Sequence, residues 1–156
     1  AYQKSLGIAP LKAENQPTGP LPQHFADEFG WEEMARKTAE IYNALPPDQR
    51  AKTAIFANNY GEAGAIDFFG AKYGLPKSIS NHQSYWMWGP NGATGEVMIV
   101  VTGASPDDLR ENYDSVEIAG RMDNPLSMPY ERRNIYLVRG RHKNLIDDWK
   151  DFKHYI

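Results

Sequence analysis

Two short apolar runs constrain the fold of this chain more than any other feature: TAIFA at residues 53–57 and EVMIVVT at residues 96–102. Both are apolar at nearly every position, which is typical of a strand buried on both faces of a sheet. Helix-like segments precede and follow the first run, at residues 31–45 and 62–73. Buried strands alternating with helices predict an α/β fold, a layered sandwich in which helices flank a mixed, largely parallel sheet.

The remaining elements follow from stop and start signals. Ser105 has the features of a helix N-cap, because Pro106 takes the first helical position and two aspartates follow it. A short strand is predicted at residues 78–80, and two further strands at 116–122 and 134–138. No helix joins the last two strands, so we expect them to pair antiparallel at one edge. The chain closes with an amphipathic helix that places four apolar side chains on one face: Leu145, Trp149, Phe152 and Ile156.

Residues 1–30 contain four prolines and three glycines, a composition in which neither a helix nor a strand ladder persists. We expect an extended, Pro-rich lead-in or linker over this range, which wraps the domain or tethers it. Residues 31–156 then form a single α/β domain, a size that allows a substantial core.

The composition excludes several classes of function. The chain has no cysteine, so disulfides, thiolate zinc sites and cysteine nucleophiles are impossible. Its net charge of −3 leaves no basic footprint for nucleic acid, and we expect no nucleic-acid partner. The longest apolar run, residues 97–101, is far shorter than the ~20 residues that cross a bilayer.

The sequence NNYGEAGAIDFFG lies where nucleotide-binding folds keep their phosphate loop, between a buried strand and a helix. It lacks the G-x-G-x-x-G pattern and the P-loop lysine, so a tight strand-to-helix turn is the alternative. Ligands bind at strand ends in open α/β sheets, and amide and carboxylate groups suit hydroxyl-rich ligands. The ligand-binding candidates in this turn are Asn58, Asn59, Tyr60 and Glu62.

A second candidate region is the aromatic stretch SISNHQSYWMWGPNG, residues 78–92, in which we expect a loop after the short strand. It combines flat ring faces with polar groups. Sugar pockets use this combination, with rings against the C–H surface and amides or imidazole on the hydroxyls. The alternative is that the rings pack onto the sheet while the histidine satisfies backbone groups. The ligand-binding candidates here are His82, Gln83, Tyr85, Trp86 and Trp88.

The one local concentration of positive charge supplies three phosphate or membrane-surface candidates, Arg133, Arg139 and Arg141. Guanidinium groups on one strand face would bind a phosphate or an anionic lipid head group. The alternative is a solvated edge that discourages strand addition. The four histidines show no metal-ligand spacing and no G-x-S-x-G elbow occurs, so we predict no metal, no cofactor and no catalytic residue.

Four long segments resemble the C-terminal region of bacterial membrane glycosyltransferases of family 39, the dolichyl-phosphate-mannose protein mannosyltransferase and aminoarabinose transferase-like group. They are PLPQHFADEFGWEEM (20–34), AIFANNYGEAGAIDFFGAKYGLPKSISNHQSYWMWGP (54–90), GEVMIVV (95–101) and NPLSMPYERRNIYLVRGRHKNLIDDWKDFKHYI (124–156). Such enzymes move a sugar from a polyprenyl-phosphate donor to a lipid, protein or glycan acceptor. Their catalytic residue lies in a membrane part that has no counterpart in this sequence.

The resemblance implies an accessory domain on the extracytoplasmic, periplasmic face of the membrane, inactive alone, whose partners are the transmembrane part of the same polypeptide and a sugar, glycan or lipid acceptor. Two alternatives stay open. One is a freestanding hydrolase-like enzyme that uses Asp67, Asp123 or Glu131 with His82. The other is a structural module that binds another protein.

Overall fold

A computed structural model describes residues 5–7 and 16–155 of the chain. Its centre is a sheet of four strands in the order β1-β2-β4-β3. The strands are β1 Thr53–Ala57, β2 Val97–Thr102, β3 Tyr113–Arg121 and β4 Asn134–Arg141. The predicted α/β fold with a mixed sheet is confirmed, but only one of the three strand pairs is parallel, where a largely parallel sheet was expected. Parallel pairing joins β1 to β2, whereas β2–β4 and β4–β3 are antiparallel, as expected for two final strands joined without an α-helix.

Seven α-helices lie among the described residues: α1 Gln23–Ala26, α2 Trp31–Ala44, α3 Pro47–Arg50, α4 Tyr60–Gly70, α5 Gln83–Trp88, α6 Pro106–Arg110 and α7 Leu145–Asp148. Short 3₁₀ helices follow or connect them at Ala71–Tyr73, Pro129–Glu131 and Trp149–Asp151. The predicted cap of α6 is confirmed, because the Ser105 side chain accepts from the Asp108 N–H and the Asp108 carboxylate accepts from the Ser105 N–H. The same reciprocal arrangement opens α4 at Asn59 and Glu62.

The two faces of the sheet are covered differently. On the helix face, the long helices α2 and α4 pack on Ile55, Ile99 and Ile135. We call the opposite face the C-terminal face, because the C-terminal segment packs on it. There the short helices α5, α6 and α7 and the following 3₁₀ turn cover Phe56, Met98 and related side chains. Because side chains alternate along each strand, neighbouring residues of β2 belong to opposite faces. The sequence of β2 is therefore apolar throughout, as a strand covered on both faces requires.

Three segments depart from the sequence prediction. The aromatic stretch holds a six-residue helix, α5, where a loop was expected. Residues 78–80 make a single parallel bridge, Ile79 to Phe56, and not a continuous strand. The closing helix is short and passes into a 3₁₀ turn, although Leu145, Trp149 and Phe152 all pack on the C-terminal face as predicted; Ile156 lies outside the described residues.

Residues 19–26 of the lead-in pack on the domain and contain a turn of helix. Helix α1 forms despite the prolines because Pro22 occupies its N-cap, where no backbone N–H is required. Ala26 in this helix is fully buried, and Gly19 lies against Ser127 and Arg132. Residues 1–4 and 8–15 of the predicted lead-in lie outside the described residues, and the domain boundary at residue 30 stays a prediction.

Candidate functional site

The turn between β1 and α4 lies at the carboxyl end of β1, the position where open α/β sheets bind ligands. Asn59 caps the helix: its side-chain oxygen accepts from the Glu62 N–H at 2.8 Å, and its own N–H donates to Glu62 Oε2 at 3.2 Å. Tyr60 begins the helix and leaves about half of its side chain in solvent, with 53% exposed. The cap thus fixes this turn and presents the Tyr60 ring outward.

His82 from the aromatic stretch meets the same turn. Its Nδ1 accepts a hydrogen bond from the Tyr60 N–H at 3.3 Å, and the two rings lie 5.1 Å apart. The Ile79 N–H donates to the Ile55 carbonyl at 2.8 Å, and the Ile79 carbonyl accepts from the Ala57 N–H at 3.0 Å, which holds the start of the stretch beside this strand end. Two ligand-binding candidate regions that are separated in sequence therefore meet in the structure.

The imidazole of His82 is buried, with 2% of the residue exposed. Because Nδ1 accepts, the neutral ring carries its proton on Nε2, and Nε2 has no hydrogen-bond partner among the described residues. Burial, and secondarily the neighbouring His154 ring at 5.3 Å, lower the pKa of His82. His82 is therefore a neutral group with one uncommitted N–H donor.

Glu62 lies beneath the turn and is fully buried, with 0% exposed. Its Oε1 is 2.9 Å from Nη1 of Arg133, an ion pair that is not aligned as a hydrogen bond. Burial, with a smaller contribution from the charge of Glu131, raises the pKa of Glu62 to about 7 against the opposing effect of Arg133. Arg133 is anchored in turn, since its Nε donates to the Tyr130 carbonyl at 3.0 Å.

We call this group the α4 cluster: Asn59, Tyr60, Glu62, His82 and Arg133. The structure brings these five predicted residues together. Perturbed carboxyl and imidazole groups gathered at one strand end are typical of functional sites. Yet Glu62 is fully buried, belongs to the helix cap and pairs with Arg133, so it cannot reach a substrate proton. The solvent-accessible part of the cluster is the Tyr60 ring. The arrangement suits binding better than proton transfer.

The other aromatic candidates lie elsewhere. Tyr85 donates to Asp67 Oδ2 at 3.1 Å, and burial followed by the Asp67 charge raises the pKa of this phenol to about 12. Ser78 holds the opposite carboxylate oxygen with its N–H at 2.7 Å. Trp88 packs edge-on to the Tyr85 ring while 65% of it remains exposed. This network fastens α5 to α4.

Trp86 and Gln83 have mainly structural surroundings. The indole of Trp86 donates to the Trp149 carbonyl at 2.9 Å, and the indole of Trp149 donates to the Trp86 carbonyl at the same distance. The N–H of Gln83 donates to the His154 carbonyl at 3.1 Å, and its φ of 48° makes the left-handed turn into α5. The contacts of Trp86 therefore agree with the alternative in which the aromatic rings pack onto the sheet and do not line a sugar pocket.

The three arginine candidates do not share a site. Arg133 pairs with Glu62, and Arg139 donates to Gln49 Oε1 at 3.2 Å on the helix face. Arg141 lies on the C-terminal face because Gly140 adopts a φ of 65°, which interrupts the strand alternation between Arg139 and Arg141. There it lies 2.9 Å from Asp148. A shared phosphate site on one strand face is absent from this arrangement.

The carboxylates of the hydrolase alternative are also dispersed. Asp67 belongs to the Tyr85 network, Asp123 is exposed, and Glu131 lies near Glu62. His154 is the main member of the region that sequence reasoning missed. It pairs with the chain beside His82 through backbone bonds, and no spacing motif connects residues so far apart.

Comparison of the chain with protein-family models, with curated proteins and with solved structures finds no match in any of the three. Within the described ranges, no helix combines the length and apolarity needed to span a bilayer. Nor do the residues in those ranges form a group of three or more side chains suited to hold a metal ion.

Proposed function

We propose that this chain is an accessory recognition domain of a membrane glycosyltransferase that uses a polyprenyl-phosphate sugar donor. On this proposal it works on the periplasmic face beside the transmembrane part of the same polypeptide, and it contacts the sugar or the acceptor without catalysing transfer. The observation that carries the proposal is the junction of Tyr60 and His82, where the N–H of one residue is bonded to the ring of the other. The sequence resemblance supplies the class of enzyme.

The surroundings of the junction support binding. A half-exposed tyrosine ring at a strand end offers a flat surface to the C–H face of a sugar. The Arg133 guanidinium below it is mostly buried, contacts Glu62 and donates to the Tyr130 carbonyl, so it is not free to bind an anion at this surface. This environment favours a neutral, hydroxyl-rich group over an isolated anion.

The proposal predicts that Tyr60→Ala weakens sugar transfer by the complete transferase by about three- to tenfold in kcat/KM, the size of one aromatic contact. Tyr60 acts on His82 through its backbone N–H, so the alanine variant keeps that bond and the fold. Tyr60→Phe keeps the ring and should transfer sugar at nearly the normal rate.

The matched control is Ile118→Ala, which removes a similarly exposed apolar side chain from the distant strand β3. The measurement is initial rates in membranes that contain the complete transferase, with expression levels equalised. Equal rates for Tyr60→Ala and Ile118→Ala would show that the α4 cluster has no part in recognition.

A further inference from the structure

A cavity of about 170 Å³ opens on the C-terminal face of the sheet, on the other side of the strand end from the α4 cluster. Its floor is apolar and consists of Phe56, Met98 and Val100 from β1 and β2. Leu109, Leu145 and Phe152 form its walls. At about 30 Å³ for each water molecule, this space corresponds to roughly six waters, or one small ring.

The cavity exists because the helices on this face are short. Helix α6 has five residues and α7 has four, whereas α2 on the opposite face has fourteen. Side chains at alternate positions of β2 all point to this face, so the strand offers more surface than two helices of one turn can cover. The gap between α6 and the C-terminal segment is the part left open.

Three asparagines stand at the edge of this gap: Asn58, Asn81 and Asn112. The Asn58 side-chain oxygen accepts from the Thr102 hydroxyl at 3.4 Å, and its NH₂ group has no hydrogen-bond partner among the described residues. The side chains of Asn81 and Asn112 make no hydrogen bond to another described residue; only their backbone groups are engaged. Each amide can both donate and accept, as alternating sugar hydroxyls require.

Arg141 lines the inner side of the cavity, and an ion pair balances its charge. Its side chain is 6% exposed, and Nη1 lies 2.9 Å from Asp148 Oδ2. Its path depends on Gly95, because a Cβ there would lie 2.6 Å from the Arg141 Cδ. Nη1 donates both to Asp148 and to the Lys143 carbonyl, so any donor that Arg141 offers to a ligand is on Nε or Nη2. The ion pair leaves no unpaired charge that would demand an anion.

We propose that this cavity binds one neutral, hydroxylated ring of monosaccharide size. The apolar floor and the Phe152 ring would contact the C–H surface of the ring, and the asparagines with Arg141 would bond its hydroxyls. This site is independent of the α4 cluster. Asn58 precedes Asn59 in the sequence, and Asn81 precedes His82. The same two segments therefore contribute residues both to the cavity and to the α4 cluster.

The test is a titration of the isotope-labelled chain with methyl glucoside, methyl mannoside and methyl galactoside, followed by NMR of the asparagine side-chain amides. At least one glycoside should give saturable shifts at Asn58, Asn81 and Asn112, with a Kd of about millimolar. Sodium sulfate should give none, and cyclohexanol, which has one hydroxyl, should bind more weakly.

Two variants keep the test specific. Asn112→Leu should weaken binding by roughly fivefold, the effect of one lost hydrogen bond, because Asn112 is exposed and contributes only backbone bonds to the fold. Asn43→Leu, on α2 at the opposite face, should have no effect. The proposal is overturned if no glycoside saturates, if sulfate produces the same shifts, or if Asn112→Leu binds as tightly as Asn43→Leu.

Discussion

At the scale of single residues, Glu62 has the environment that most alters its chemistry. Burial raises its pKa from the ordinary value of 4.5 to about 7, so the folded chain holds a proton that the unfolded chain releases between these two pH values. For an acid with a raised pKa, stability is therefore highest below the unfolded value and falls as pH rises through the folded value. Arg133, at 2.9 Å, and the charge of Glu131 set how far the pKa shifts.

The variant Glu62→Gln isolates this effect, because glutamine preserves the side-chain partner of the capping box. We expect the free energy of unfolding of the unaltered chain, relative to the variant, to fall by on the order of 2–3 kcal/mol from pH 4.5 to 8. Urea denaturation of both proteins across this range measures it. His82 titrates in both proteins, so its contribution cancels in the difference. A difference that does not change with pH would mean that folding does not raise the pKa of Glu62.

At the scale of elements, the two indoles that bond each other's carbonyl groups determine where α5 lies. Trp86 and Trp149 connect α5 to the C-terminal 3₁₀ turn with two bonds of 2.9 Å. Lys153 adds a cation–π contact, with its Nζ 4.7 Å from the Trp86 ring. Trp88 lies in the same helix but remains largely in solvent, so the same residue type has opposite roles two positions apart.

We expect Trp149→Phe to destabilise the chain by about 1–3 kcal/mol, because it removes the donor to the Trp86 carbonyl and part of a buried ring. The matched change Trp88→Phe should stay within about 0.5 kcal/mol. Guanidinium unfolding compares the two variants, and amide hydrogen exchange should show faster exchange in α5 for Trp149→Phe alone. Equal losses of stability would contradict the assigned role of the indole pair.

The strands and the long helices were predictable because their signals are local. The runs 53–57 and 96–102 contain β1 and β2, and the capping residues Ser105 and Pro106 open α6. Helix α5 was not predictable, since its Tyr and Trp residues favour strands and its boundaries depend on partners in the distant C-terminal segment. The Tyr60–His82 contact was likewise hidden, because it requires the pairing of Ile79 with β1. Candidate residues could be named from sequence, but their grouping depends on tertiary contacts.

At the scale of the whole molecule, the unequal cover of the sheet explains both candidate sites. Long helices on the helix face seal Glu62 and fix the turn at Tyr60. Short helices on the C-terminal face leave the amide-edged cavity open. Both sites use the chain segments that leave β1 and precede α5. Both candidate sites thus lie over a closed core, which is compatible with the proposed role of the chain as a recognition domain.

The most direct test of this account is an NMR titration of the labelled chain with a short-chain, water-soluble polyprenyl-phosphate sugar. If the α4 cluster recognises the sugar, the Tyr60 backbone amide and the His82 ring should show saturable shifts. Tyr60→Ala should bind at least threefold more weakly, and Ile118→Ala should bind as the unaltered chain does. Saturation without shifts at Tyr60 and His82, or no saturation at millimolar ligand, would contradict recognition through the α4 cluster.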